Sequence, residues 1–104
     1  MIKANFLRSE SFYTAFSIEG HAGYADFGED IVCAGVTSAV MTVLNGITEI
    51  AKLNASVDVS ENEIILNLAE RSKTGEVLLS SLKLQLELLS EDYPDTINIT
   101  VTEV

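Results

Sequence analysis

Cysteine and histidine each occur once in the chain, at Cys33 and His21, proline once, and tryptophan not at all. A single cysteine excludes an internal disulfide, so nothing points to a secreted fold braced by cross-links. One proline and six glycines leave no room for a collagen-like or low-complexity chain. Basic residues are also scarce: six Lys and Arg stand against 16 Asp and Glu, a formal net charge of −10. That balance repels phosphate backbones and argues against direct nucleic-acid binding. It would attract a basic partner, although charge kept for solubility alone explains it equally well. The opening MIKANFLRSE is broken by Lys3, Arg8 and Glu10, so it lacks a signal-peptide core. No stretch reads as the roughly 20 apolar residues of a membrane span. The expected setting is the cytoplasm, without membrane attachment. What is present suits one globular domain over residues 1–104, because 47% hydrophobic and 21% charged residues disfavour disorder.

Periodicity then orders the elements. Ile2, Ala4 and Phe6 alternate with Lys3 and Asn5 as a half-buried strand, and Arg8-Ser9-Glu10-Ser11 turns the chain. Phe12, Thr14, Phe16 and Ile18 alternate with Tyr13, Ala15 and Ser17 as the second strand of a hairpin. From Gly20 to Asp30 periodicity vanishes, and Gly20, Gly23 and Gly28 mark a loop. Asp30 is a favoured N-cap type and predicts a helix from there to about Lys52, with Val32, Val36, Val40, Val43, Ile47 and Ile50 as its apolar stripe. Val57 and Val59, a Ser60-Glu61-Asn62 turn, and Ile64, Leu66 and Leu68 predict a second hairpin. Thr74 is a candidate N-cap for a helix to about Ser90. On it Leu78, Leu79, Leu82, Leu86 and Leu89 share one face, while Val77, Leu84 and Leu88 form a separate stripe. A helix with two apolar faces needs two surfaces to pack on: one would be the sheet, the other the first helix or a second subunit. Ile97, Ile99 and Val101 make a last strand after Pro94. The order ββαββαβ describes an α+β fold: a mainly antiparallel sheet with two helices.

The segment GHAGYADFGEDIVCAGVTS, Gly20 to Ser38, holds both the histidine and the cysteine. With Asp30 as N-cap, Cys33 would stand at N3, where free amides and the helix dipole favour a negative sulfur. An imidazole folded back over that helix start could take the thiol proton. Free N–H groups there could receive the oxyanion of a tetrahedral intermediate. Two residues at this spacing do not decide the matter. A lone cysteine near a helix start is commonly a small buried apolar residue, and a lone histidine among glycines a solvated one. One His and one Cys, even with Asp26, Glu29 or Asp30, give no zinc-ligand spacing, so neither metal nor other cofactor is expected.

Gly20-His21-Ala22 followed by Asp30-Ile31-Val32-Cys33-Ala34, with Gly35 and the hydroxyl of Thr37 beyond, resembles the signature of the ribosomal-processing cysteine proteases, a family of small bacterial proteins. The likeness extends to chain length and element order. Thr37 stands where that family often has serine. The resemblance implies an endopeptidase that removes a short N-terminal extension from large-subunit ribosomal protein twenty-seven, cutting within a motif of aromatic and leucine/glutamine character, and acting as a homodimer. It makes Cys33 the nucleophile and His21 the general base. Asp30 would either orient the imidazole or only cap the helix. Gly20, Ala22, Gly23 and Thr37 would border the substrate. Two other classes stay in view: a non-enzymatic ribosome-associated binding or assembly factor, and a thiol switch, for which no second cysteine exists to resolve an oxidised Cys33.

Overall fold

The computed structural model describes residues 1–20 and 27–104, with 27–30 described by backbone alone. Strands β1 (Ile2–Ser9), β2 (Phe12–Glu19), β3 (Ala55–Val59), β4 (Glu63–Leu68) and β5 (Ile97–Glu103) accompany helices α1 (Phe27–Asn45) and α2 (Lys73–Asp92). The strands form one sheet in the order β3-β4-β2-β1-β5. All neighbours are antiparallel except β1 and β5, which run parallel with Ile2 opposite Ile97. This is the expected α+β arrangement, with the first strand enclosed rather than at an edge.

One sheet face meets the helices. Ile2, Ala4 and Phe6 of β1, Phe16 and Ile18 of β2, Leu66 of β4 and Ile97 of β5 are buried there. They pack with Val32, Val36, Val40, Val43 and Leu44 of α1 and Leu79, Leu82 and Leu86 of α2. The three-and-four spacing of the valines, and of the leucines, puts each set on one side of its helix. Gly35 of α1 faces α2: a Cβ there would stand 3.2 Å from Leu89 Cδ2, so the missing side chain sets how closely the helices approach.

The span from Ile31 to Ile50 is long and apolar enough, by length and composition, to cross a membrane. That corrects the reading that no stretch comes near this length. Its apolar character is accounted for by the core, since Val32, Val36, Val40, Val43, Leu44 and Ile47 are buried against the sheet and α2.

Several boundaries differ from the sequence reading. The β1–β2 turn is only Glu10-Ser11, with φ of 49° and 73°, so Arg8 and Ser9 stay in the strand. A bulge follows: Leu7 lies opposite Ala15 but Arg8 opposite Tyr13, which leaves Thr14 as the extra residue. Beyond it the faces exchange. Tyr13, not Phe12, joins the core side, its ring edge-on to Phe6 at 6.0 Å between centroids. Phe12 instead lies under the Arg71 guanidinium. Alternation read along one strand carries no mark of an inserted residue.

The first helix gives way at Asn45 to a π-helical turn, Gly46–Ile50, closed by Ala51 N–H donating to Gly46 O at 2.8 Å. The second is capped two residues before the expected position. Ser72, not Thr74, is the N-cap, its Oγ accepting from Gly75 N–H at 3.1 Å. Glu76 in its first turn accepts from the Tyr13 N–H, tying α2 to the bulge. The second hairpin matches its expectation, with β3 and β4 flanking the Ser60-Glu61-Asn62 turn.

Candidate active site

Cys33 is placed by its helix. Helix α1 begins at Phe27, so the expected start after Asp30 is overturned: Asp30 lies inside the first helical turn and its backbone is not an N-cap. Cap preference is worth only about 1 kcal/mol and does not prevent a helix from starting upstream. Acidic types at positions 29 and 30 also suit a first turn, where the dipole favours negative charge. Cys33 therefore falls in the second turn, not at N3. The unbonded N–H groups of the helix start reach no further than residue 29. The Cys33 N–H falls within the i→i−4 ladder, so it is not a free oxyanion donor.

Val32 and Val36 on either side of Cys33 are 1% and 3% exposed and anchor that stretch of helix. Cys33 itself is partly exposed and packs at the margin of the core. It opens onto a cavity of about 250 Å³. Ile2, Ile18, Val36, Val40 and Ile64 give this space an apolar floor, and Thr37, one turn beyond Cys33, stands on the same wall. The opposite wall is the β3–β4 turn, Val59 to Glu63. Two acidic residues, Glu61 and Glu63, are therefore among those lining it.

Gly20 completes the rim. Its N–H donates to Asn62 O at 3.1 Å, joining the end of β2 to the β3–β4 turn. Its φ is +84°, and a Cβ there would lie 2.7 Å from the Met1 carbonyl oxygen. Only glycine fits that backbone without displacing the start of β1.

Of the site residues expected from sequence, the fold thus brings Gly20, Cys33 and Thr37 to one cavity. The expected roles of His21, Ala22 and Gly23, together with Asp26 and the loop over 21–26, lie outside the described residues, as does the side chain of Asp30, whereas 27–30, read with Gly28 as the end of that loop, are helical. Gly20 is the immediate chain neighbour of His21. The β3–β4 turn and the Ile2 end of β1 were not among the expected site residues. Their spacing marked a turn and a strand correctly, but no local pattern shows which distant element a turn will face.

Comparison with known proteins gives the family. The family model described as "Cysteine protease Prp" matches residues 1–98. The chain belongs to that family. A curated relative from Bacillus subtilis, the ribosomal processing cysteine protease Prp, is 31% identical over 96% of both chains. Its namesake from Staphylococcus aureus is 22% identical over 89% of this chain and 91% of its own. Among solved structures, a Streptococcus mutans protein superposes with a TM-score of 0.88 at 24% identity, covering 100% of this chain and 96% of that one. The S. aureus ribosomal processing protease, solved with a covalently linked product peptide, gives a TM-score of 0.87 at 19% identity over 98% of this chain and 100% of that one. These two likenesses show the fold. Membership in a peptidase family leaves the non-enzymatic binding-factor reading without support.

Proposed function

We propose that this Prp-family cysteine protease is an endopeptidase that trims the N-terminal extension of a large-subunit ribosomal protein, with Cys33 as nucleophile and His21 as general base. The observation that supports these roles most directly is the shared cavity. Cys33 and Gly20, the residue bonded to His21, line one space large enough to admit a side chain. The relatives from B. subtilis and S. aureus are both named as ribosomal processing proteases, which supports the client class. An excess of carboxylates, including Glu61 and Glu63 of the cavity lining, suits a basic ribosomal protein.

The chemistry balances with these two groups. The imidazole takes the thiol proton, and the sulfur adds to the scissile carbonyl carbon to give a tetrahedral oxyanion. Its collapse breaks the C–N bond, and the imidazolium returns the proton to the departing amine. The resulting thioester is hydrolysed when the imidazole, acting again as base, draws a proton from water. A binding role for Thr37, on the wall one turn from the sulfur, and for Gly20 at the rim belongs to the same reading.

Incubation with the unprocessed ribosomal protein, read by mass spectrometry, tests it. The expected result is a shortened client with wild type and none with Cys33→Ala, whose circular dichroism stays that of wild type. His21→Ala should lose activity as well. Wild-type turnover by Cys33→Ala would remove the nucleophile assignment.

The assembly we infer is a homodimer in the cytoplasm, where ribosomal proteins are synthesised and a thiol stays reduced. Val77, Leu84 and Leu88 on the outer side of α2 are 52%, 56% and 47% exposed. Val77 also borders an open apolar groove with Ile50 and Leu78. An exposed apolar stripe of this kind supports an isologous interface.

A further inference from the structure

The face of β3 offers a second apolar surface that no helix covers. Val57 lies opposite Leu66, and Val59 opposite Ile64. Residues directly opposite in an antiparallel pair share a face. Leu66 is fully buried beneath the helices, so Val57 and Val59 are on the core side of the sheet. Yet they are 39% and 60% exposed, and no residue of β3 is buried. The helices cover the neighbouring strands and stop short of this edge.

The strip is continuous with the catalytic cavity. Val59 belongs to both, forming part of the wall opposite Cys33, and Val57 lies two residues further along the same strand. An extended polypeptide repeats its side-chain direction every second residue, a span of about 6.6 Å, which is also the separation of Val57 and Val59 along β3. A chain leaving the cavity over Val59 can therefore seat alternate side chains on both valines.

We propose that Val57 and Val59 form an extended subsite that selects an apolar substrate residue remote from the scissile bond. This inference rests on the reading of the Cys33 cavity as the site of cleavage. The occupant is the substrate chain itself, in extended form, on one side of the bond to be cut. Burying an apolar side chain on Val57 adds binding energy away from the reacting carbonyl and acts chiefly through KM.

The test compares wild type with Val57→Asp, Val57→Thr and Val57→Ile on peptides copied from the client's extension. One peptide spans the scissile bond with several residues on each side, and two are shortened on one side or the other. Expected on the long peptide is a fall in kcat/KM of about tenfold for Val57→Asp, carried by KM, with a smaller loss for Val57→Thr and near wild-type behaviour for Val57→Ile. The gap between wild type and Val57→Asp should close on one of the two shortened peptides. Thermal melting confirms the fold, and Val57→Thr, which keeps the β-branched shape, carries the test should Val57→Asp unfold. Values within about twofold of wild type on the long peptide overturn the subsite. So does an equal loss on all three peptides, or a loss that accompanies dissociation in sedimentation, which would make the strip a seat for a second copy. Each of these can occur while cleavage still depends on Cys33, so they remove the subsite alone. Cleavage by Cys33→Ala would instead remove the catalytic reading and the subsite with it.

Discussion

Gly20 joins three separate requirements at one backbone position: a positive φ, a hydrogen bond to the β3–β4 turn, and contact distance to Met1. Left-handed backbone strains any residue with a Cβ, and the crowding adds to that. Gly20→Ala is expected to lower stability by about 1–3 kcal/mol in urea denaturation. Because the same residue borders the cavity and precedes His21, the variant should also lose turnover under conditions where it remains folded. The sequence marks Cys33 as the sole thiol within a family signature. It does not mark its depth in the helix, because Asp30 satisfies a local capping preference that competes with an earlier start at Phe27. The walls facing it were also hidden: Asn62 and Ile64 are far from Cys33 in the chain, and only sheet pairing brings them there.

The elements were legible where a periodic pattern runs uninterrupted. The apolar stripe of α1 as far as Ile47, that of α2, the Ser60–Asn62 turn and the alternation in β1 and β5 reappear, whereas Ile50, read into the first stripe, is 82% exposed at the end of the π-helical turn. The misses lie at interruptions. Thr14 adds a residue to β2 and moves Tyr13 to the core side. Glu10-Ser11 makes a two-residue turn with both φ values positive, although neither residue is one of the usual Asn or Gly. Ser11→Gly should relieve about 1–2 kcal/mol of left-handed strain. It should return about 0.4–1 kcal/mol to the unfolded chain's entropy. The net expectation is a small gain, measurable as a raised urea midpoint with unchanged slope. At the start of α2, Ser72→Ala should cost about 1 kcal/mol by freeing the Gly75 N–H, whereas Thr74→Ala, at the cap position read from sequence, should cost much less.

For the molecule as a whole, the second stripe of α2 is the feature that sequence and structure describe alike. Val77, Leu84 and Leu88 diverge from the buried leucines by helical geometry alone, and all three remain uncovered. Leu84→Glu is expected to shift sedimentation from dimer to monomer while leaving the melting profile of the isolated fold similar, since Leu84 contributes nothing to the buried core. An unchanged dimer would place the interface elsewhere. Leu82→Ala, one turn inward, is the contrasting case: it should cost about 2–5 kcal/mol through the void it leaves.

The parallel pairing of β1 with β5 has a consequence for the order of events in synthesis. Ile2, whose side chain helps floor the space beside Cys33, is held by its N–H donating to Thr96 O at 3.0 Å and by Ile97 across the ladder. Until that last strand has emerged from the ribosome, the first one lacks a neighbour and the floor is incomplete. A nascent copy therefore lacks part of the lining beside Cys33 until nearly all of the described chain has been made.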